Sequence, residues 1–186
     1  MRGEYLHNQF LVAMPSLSDP NFAQTVTLVC EHTARGALGI VLNRPLTMRL
    51  GDVFEQLDLP RGESRHAEQR ILRGGPVQSD RGFVLHAPEG DWESTLRVSD
   101  HVHVTTSRDI LTAMAGGQGP AQTVMALGYA GWEAGQLEEE IRSNAWLNVP
   151  VDESIIFDVP FEQRWQAAAR LLGVDLGRIS ASAGHA

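Results

Sequence analysis

The 186-residue chain reads as a single α+β domain, a mixed and largely antiparallel sheet that can curl toward a barrel, flanked by helices. Two observations lead there. Short apolar stretches recur along the chain, mostly without a helix-length segment between them, which argues against a doubly wound parallel sheet. Two of these stretches, 25–31 and 37–42, are joined by so short a link that a hairpin is the natural pairing.

Taken in order, residues 16–22 are turn-rich. At 25–31, Val26, Leu28 and Cys30 share one face and Thr25, Thr27 and Val29 the other, the alternation of a strand. Residues 37–42 are apolar on both faces, as in a central strand. Gly39 within them marks a bulge or a close approach, and Arg44-Pro45 ends them. Leu50, Val53, Phe54 and Leu57 have the spacing of a short amphipathic helix. The charged stretch 60–68 is a loop. Residues 71–72 and 82–86 are short strands on either side of Gly74-Gly75-Pro76-Val77, and 96–98 and 101–105 alternate again. Ser107 suits the N-cap of a helix with Asp109 in its first turn, Ile110, Leu111 and Met114 inward, and the glycines from Gly116 as its stop.

Residues 123–127 are a buried strand, and a turn over 128–135 follows, holding Gly128, Gly131 and Gly135 with Tyr129 and Trp132. A polar helix over 134–144 comes next, with Leu137, Ile141 and Ala145 inward and Glu138 spaced to pair with Arg142 outside. Residues 154–157 read as a strand. Asp158 and Pro160 open a last helix with Phe161, Trp165, Ala168 and Leu172 inward and Gly173 as its stop, and 178–186 read as a loose tail.

Composition narrows the function. The net charge of −8 repels phosphate backbones unless basic residues cluster, so direct nucleic-acid binding is disfavoured. Arginines 61, 65, 70, 73 and 81 gather loosely, but Glu63, Glu68 and Asp80 are interleaved, the pattern of a solvated loop. No apolar run reaches the roughly twenty residues of a membrane span, and the first residues lack the apolar segment of a secretory signal. Cys30 is the only cysteine, so no internal disulfide can form, which fits a reducing cytoplasm.

The chain resembles the AlgH/YqgE family of bacterial proteins. The resemblance rests on Phe10-Leu11-Val12-Ala13-Met14-Pro15 with Asp19-Pro20, Cys30-Glu31-His32, Gly36-Ala37-Leu38-Gly39 with Asn43-Arg44-Pro45, and Gly74-Gly75-Pro76-Val77. It continues through Asp80-Arg81-Gly82-Phe83-Val84-Leu85-His86, Ser107-Arg108-Asp109-Ile110-Leu111, the stretch 127–141, and Asn144-Ala145-Trp146-Leu147. It implies a cytoplasmic α+β domain with a barrel-like sheet and no established activity. A family name tied to alginate regulation implies a transcriptional role. Family gene neighbourhood implies a resolvase-like nuclease, YqgF, as a partner.

Candidate binding residues are Asn43, Arg44, Asp80, Arg81, Tyr129 and Trp132. The first four, with His86, are polar groups at the ends of apolar stretches, where they can meet at one sheet edge and hold an anion or a carbonyl. The weightier alternative is an Asp80–arginine pair that locks two loops, since ion pairs also gather at strand ends. Tyr129 and Trp132 suit a flat apolar partner with one polar edge, against a purely structural turn. His101 and His103 share a strand face without a third metal ligand, and Cys30 has no histidine spaced to activate it, so neither metal, cofactor nor catalytic residue is expected. The reading that follows is a non-enzymatic binding or adaptor protein for a protein or small-molecule partner. The alternatives are an enzyme of unassigned class using Arg44, Asp80, Arg81 and His86, and, weakest, a DNA-binding regulator.

Overall fold

The hairpin is present and buried on both sides. The first five residues of β2 (Val26–Thr33) are all buried, as are the last three of β3 (Gly36–Val41), so layers cover the sheet above and below. The computed structural model describes residues 5–60 and 64–183. Their ten strands form one sheet with the main order β10-β1-β2-β3-β9-β6-β8-β7, curled into a half-barrel. The members not yet placed are β1 (Gln9–Ala13), β4 (Pro45–Arg49), β5 (Arg70–Arg73), β6 (Val77–His86), β7 (Thr95–Arg97), β8 (His103–Thr105), β9 (Thr123–Glu133) and β10 (Trp146–Pro150). Every pairing is antiparallel except β5 with β9.

Strand β9 organises the whole. Its first half pairs with β6 on one edge and β5 on the other, and its second half pairs with β3. Val124 and Ala126 face the concave core, and Met125 faces a second core beneath α1 (Leu50–Gln56) and α2 (Arg108–Ala115). At Gly128 the backbone turns left-handed, with φ of +79°, and the alternation changes phase. Tyr129 therefore joins the concave core, while Ala130 and Trp132 turn outward into a third core beneath α3 (Gln136–Arg142). A Cβ at Gly128 would lie 2.5 Å from the Gly75 carbonyl oxygen, so the crossing of the two segments demands glycine on both grounds. At Gly39 the missing side chain leaves room for Trp132, whose ring carbon Cζ3 is 3.1 Å from where a Cβ would stand. The opposing strand bulges between Val29 and Glu31.

Several expectations are corrected here. The turn over 128–135 is mostly strand, since β9 runs to Glu133 and only residues 134–135 turn. Glycine-rich sequence looks like a loop, but the glycines serve a strand that other backbone crosses closely. Residues 154–157 lie in a helix, α4 (Glu153–Phe157), because the Asp152 carboxylate accepts from the Ser154 amide at 3.0 Å and caps it. Helix α6 (Leu176–Ala183) occupies most of the stretch read as tail, and 184–186 lie outside the described residues. In the loop at 60–68, residues 61–63 lie outside the described residues, and His66 and Ala67 are buried rather than solvated. Strands β1, β4 and β10 add to the expected set; each is five residues long, too short for its periodicity to separate strand from helix.

Helix α5 (Arg164–Arg170) and its neighbours close one end of the half-barrel, with Ile155, Ile156, Ala168, Ala169 and Leu176 in the concave core. Leu172, expected inward, is 48 % exposed because α5 ends before it. Two side chains tie α5 to the sheet. Trp165 Nε1 donates to the Ala13 carbonyl at 2.9 Å, and Arg164 donates to the Leu42 carbonyl at 2.9 Å. Arg164 is 3 % exposed, and burial pushes its guanidinium down to about 10, so it stays charged at neutral pH.

Candidate functional site

The six candidate residues do not converge. Asn43 accepts from the Val26 amide at 3.0 Å and donates to the Gln24 carbonyl at 2.9 Å. Arg44 donates to the carbonyls of Pro20 and Ala23, both at 2.9 Å. These two residues are spent pinning residues 20–26 against the end of β3. Arg81 lies over the Phe83 ring, 5.2 Å from its centroid, and Phe83 meets Tyr129 edge-on at 5.8 Å, so Arg81 and Tyr129 share the concave side. Trp132 is on the other side of the sheet and donates to Glu140 Oε1 at 3.1 Å. Its edge and Tyr129 border one broad depression. Asp80 lines a different cavity and makes no ion pair among the described residues, so the lock between loops expected of it is absent there. The Glu138–Arg142 pair is also replaced: Arg142 meets Glu139 at 2.8 Å, and Glu138 turns to His32.

The cavity holding Asp80 is a more enclosed recess than the broad depression beside Tyr129. It measures about 470 Å³, within the usual range for small-molecule sites. Its apolar floor comes from Val53 and Leu57 at α1, Val84 and Met125 on the sheet, and Leu111 on α2, with Met48 at one side. The sequence dictates this floor. Leu50 and Phe54 of α1 are fully committed to the core, and the residues one step round the helix are left to face the gap toward α2. Two stretches that carry the family resemblance, 80–86 and 107–111, meet in its walls.

The polar rim combines both signs of charge. Between Val77 and Gly82 strand β6 slips register against β9, and the exposed residues 78–81 stand away from the ladder, carrying Ser79 and Asp80 to the mouth. Arg108 enters from the start of α2, where it also donates to the Leu57 carbonyl and so ties the end of α1 to the start of α2. Ser107 occupies the N-cap position but does not cap with its side chain. Its hydroxyl donates to Asp109 at 2.6 Å and accepts from the Ser94 amide at 3.0 Å. Burial pushes the Asp109 carboxyl up, but hydrogen bonds from Ser107, the Glu93 amide and the Ile110 amide outweigh it and hold the group below its ordinary value. That anion neutralises the helix N-terminus.

Behind the cavity wall runs a buried polar row that sequence reasoning did not assemble. His86 Nδ1 is 2.7 Å from the Ala87 carbonyl, which can only accept, so Nδ1 carries the proton. Nε2 then accepts from Thr105 Oγ1 at 2.7 Å, and Thr105 accepts from Thr95 at 2.8 Å. Burial pushes His86 below its ordinary value. Thr105 and His86 have the spacing of a nucleophile and its base, but both are 0 % exposed and the hydroxyl is committed on each side, so the pair locks β6 to β8. His103 packs edge-on against His86 at 5.9 Å, whereas His101 is exposed outside the strand, so the two do not share the strand face expected of them. No group of three histidine, cysteine or acidic side chains among the described residues could hold a metal. Cys30 is buried, and burial pushes its thiol up to about 12, leaving it unreactive.

A family model described as AlgH-like matches residues 10–177. The chain belongs to the AlgH family. Among relatives, a UPF0301 protein from Thioalkalivibrio sulfidiphilus is 58 % identical over 179 residues, covering 96 % of each chain. One from Saccharophagus degradans is 54 % identical over 186 residues, covering 99 % of this chain and 91 % of that one. The solution structure of AlgH from Pseudomonas aeruginosa superposes with a TM-score of 0.80 at 49 % identity over the full length of both chains. A Corynebacterium diphtheriae crystal structure, at 20 % identity and a TM-score of 0.71 over 97 % of this chain and 94 % of that one, shares the AlgH fold. None of these names states a biochemical activity. No helix among the described residues is long and apolar enough to cross a membrane.

Proposed function

We propose that this AlgH-family chain is a cytoplasmic, non-enzymatic binding protein that takes a small amphipathic ligand in the cavity between α1, α2 and the sheet. One observation carries the reading: a cavity of about 470 Å³ with an apolar floor and charged groups confined to its mouth. The catalytic alternative has less support, because His86 is fully buried and Arg44 is bonded to backbone carbonyls. A regulatory role would act through ligand or protein contacts rather than DNA, since the net charge of −8 opposes phosphate. The resolvase-like nuclease YqgF is the first protein partner to test, on gene neighbourhood in the family alone. The lone, buried Cys30 supports a reducing compartment.

The test is a titration with indole, an uncharged apolar probe, read by methyl NMR of the methionines. Met48 and Met125 line the cavity, and their signals should shift together and saturate. Ser79→Trp, at an exposed position on the mouth, should abolish the shift without disturbing the core. Unmoved signals at both methionines would refute the site.

A further inference from the structure

We propose that the cavity selects a small zwitterion with an apolar body, of amino-acid or dipeptide type, with Asp80 receiving the ammonium and Arg108 the carboxylate. This rests on the cavity being a binding site and adds its selectivity. The two charges reach the mouth from separate walls, Asp80 from the β6 bulge and Arg108 from the start of α2. Neither enters an ion pair among the described residues, with each other or with any other group. Two unmated opposite charges over one apolar floor are the complement of a molecule carrying both charges on an apolar body.

The remaining polar groups sharpen this. Thr105 and Ser107 also line the cavity, but their hydroxyl protons are committed to His86 and Asp109. Gln56, Ser79 and Thr106 add neutral hydrogen-bonding capacity only. The start of α2 would ordinarily favour a lone anion, yet Asp109 already compensates it. Charge selection therefore falls to Asp80 and Arg108. The bond from Arg108 to the Leu57 carbonyl holds the guanidinium in place and leaves its other N–H groups to meet a carboxylate.

Four probes with one body separate the possibilities: the dipeptide Leu-Phe, its N-acetyl form, its C-terminal amide, and the doubly blocked neutral form. Affinities come from the same methionine-methyl titration. The zwitterion should bind about threefold to fivefold more tightly than either singly charged form, the scale of one exposed ion pair. Asp80→Asn should erase its advantage over the N-acetyl form, and Arg108→Gln its advantage over the amide. Arg108→Lys, which keeps the charge, should retain part of the second. Equal binding of all four probes would overturn the zwitterion while leaving the cavity as a site. An N-acetyl form as tight as the zwitterion would remove Asp80 and overturn it likewise. No response to any probe, with indole also silent, would remove the cavity reading itself.

Discussion

His32 Nε2 lies 2.8 Å from Glu138 Oε1, joining residues 106 positions apart in the chain. The other ring nitrogen accepts from the Leu6 amide at 2.9 Å, so the proton is on Nε2 and is donated to the carboxylate. One buried imidazole thus ties the chain's beginning to β2 and β2 to α3. The hydrogen bond from His32 holds the Glu138 carboxyl below its ordinary value. His32→Ala leaves the Leu6 amide and the carboxylate unpaired and should cost about 2–3 kcal/mol, whereas Glu138→Gln keeps an acceptor and should cost about 1 kcal/mol. Urea unfolding measures both.

Glu140 Oε1 accepts from both indoles of the third core, Trp132 at 3.1 Å and Trp146 at 2.9 Å. Glu140→Leu would strand two N–H donors on side chains that are 6 % and 4 % exposed, and should cost about 2–4 kcal/mol. Glu140→Gln should retain most of the stability. Tryptophan fluorescence follows the local change, and thermal unfolding the global one.

A Cβ at Gly75 would lie 2.2 Å from the Tyr129 carbonyl oxygen, with φ at +157°. Backbone cannot yield there as a flexible side chain would, so Gly75→Ala should cost more than about 4 kcal/mol or prevent folding. Gly173 has a φ of +73° but nothing within 4 Å, so Gly173→Ala should cost only the left-handed strain, about 1–2 kcal/mol. Equal losses at the two sites would show that conformation rather than close approach governs Gly75.

Acid should weaken the fold in two steps. Burial pushes both His66 and His86 below the ordinary value of 6.5. Each is neutral in the folded state while the unfolded chain takes up a proton near 6.5, so their contribution is complete above that pH and declines as pH falls toward the depressed folded values. The slope is at most about 1.4 kcal/mol per pH unit per group. The lowered Glu138 and Asp109 act separately, with stability complete above the ordinary carboxylate range and lost as pH drops through it toward their folded values. His86→Gln should shrink the upper step of a stability-versus-pH series to the share of His66 and leave the lower one.

Cys30 should stay inert to a thiol reagent in native buffer and react fully in denaturant, since its thiolate is disfavoured by burial. Rapid native labelling would show that β2 opens locally.

What the sequence determined by itself was local and periodic. Alternation at 25–31 specified β2, the short link specified the hairpin, and the spacing of Ile110, Leu111 and Met114 specified the buried face of α2. The motifs specified the family, because they recur in one order along nearly the whole chain. Tertiary structure decided what local pattern cannot encode. Residues 128–133 have turn composition, and only the close crossing of Gly75 and the partner strand β3 makes them a strand. Asn43, Arg44 and Asp80 look alike as polar residues beside apolar stretches. The first two bond to nearby backbone, whereas the β6 bulge carries Asp80 out to a cavity mouth beside a helix that begins 28 positions later, at Arg108. Which polar group is spent on backbone and which stays available depends on long-range register, a property of the packed sheet rather than of any window of sequence.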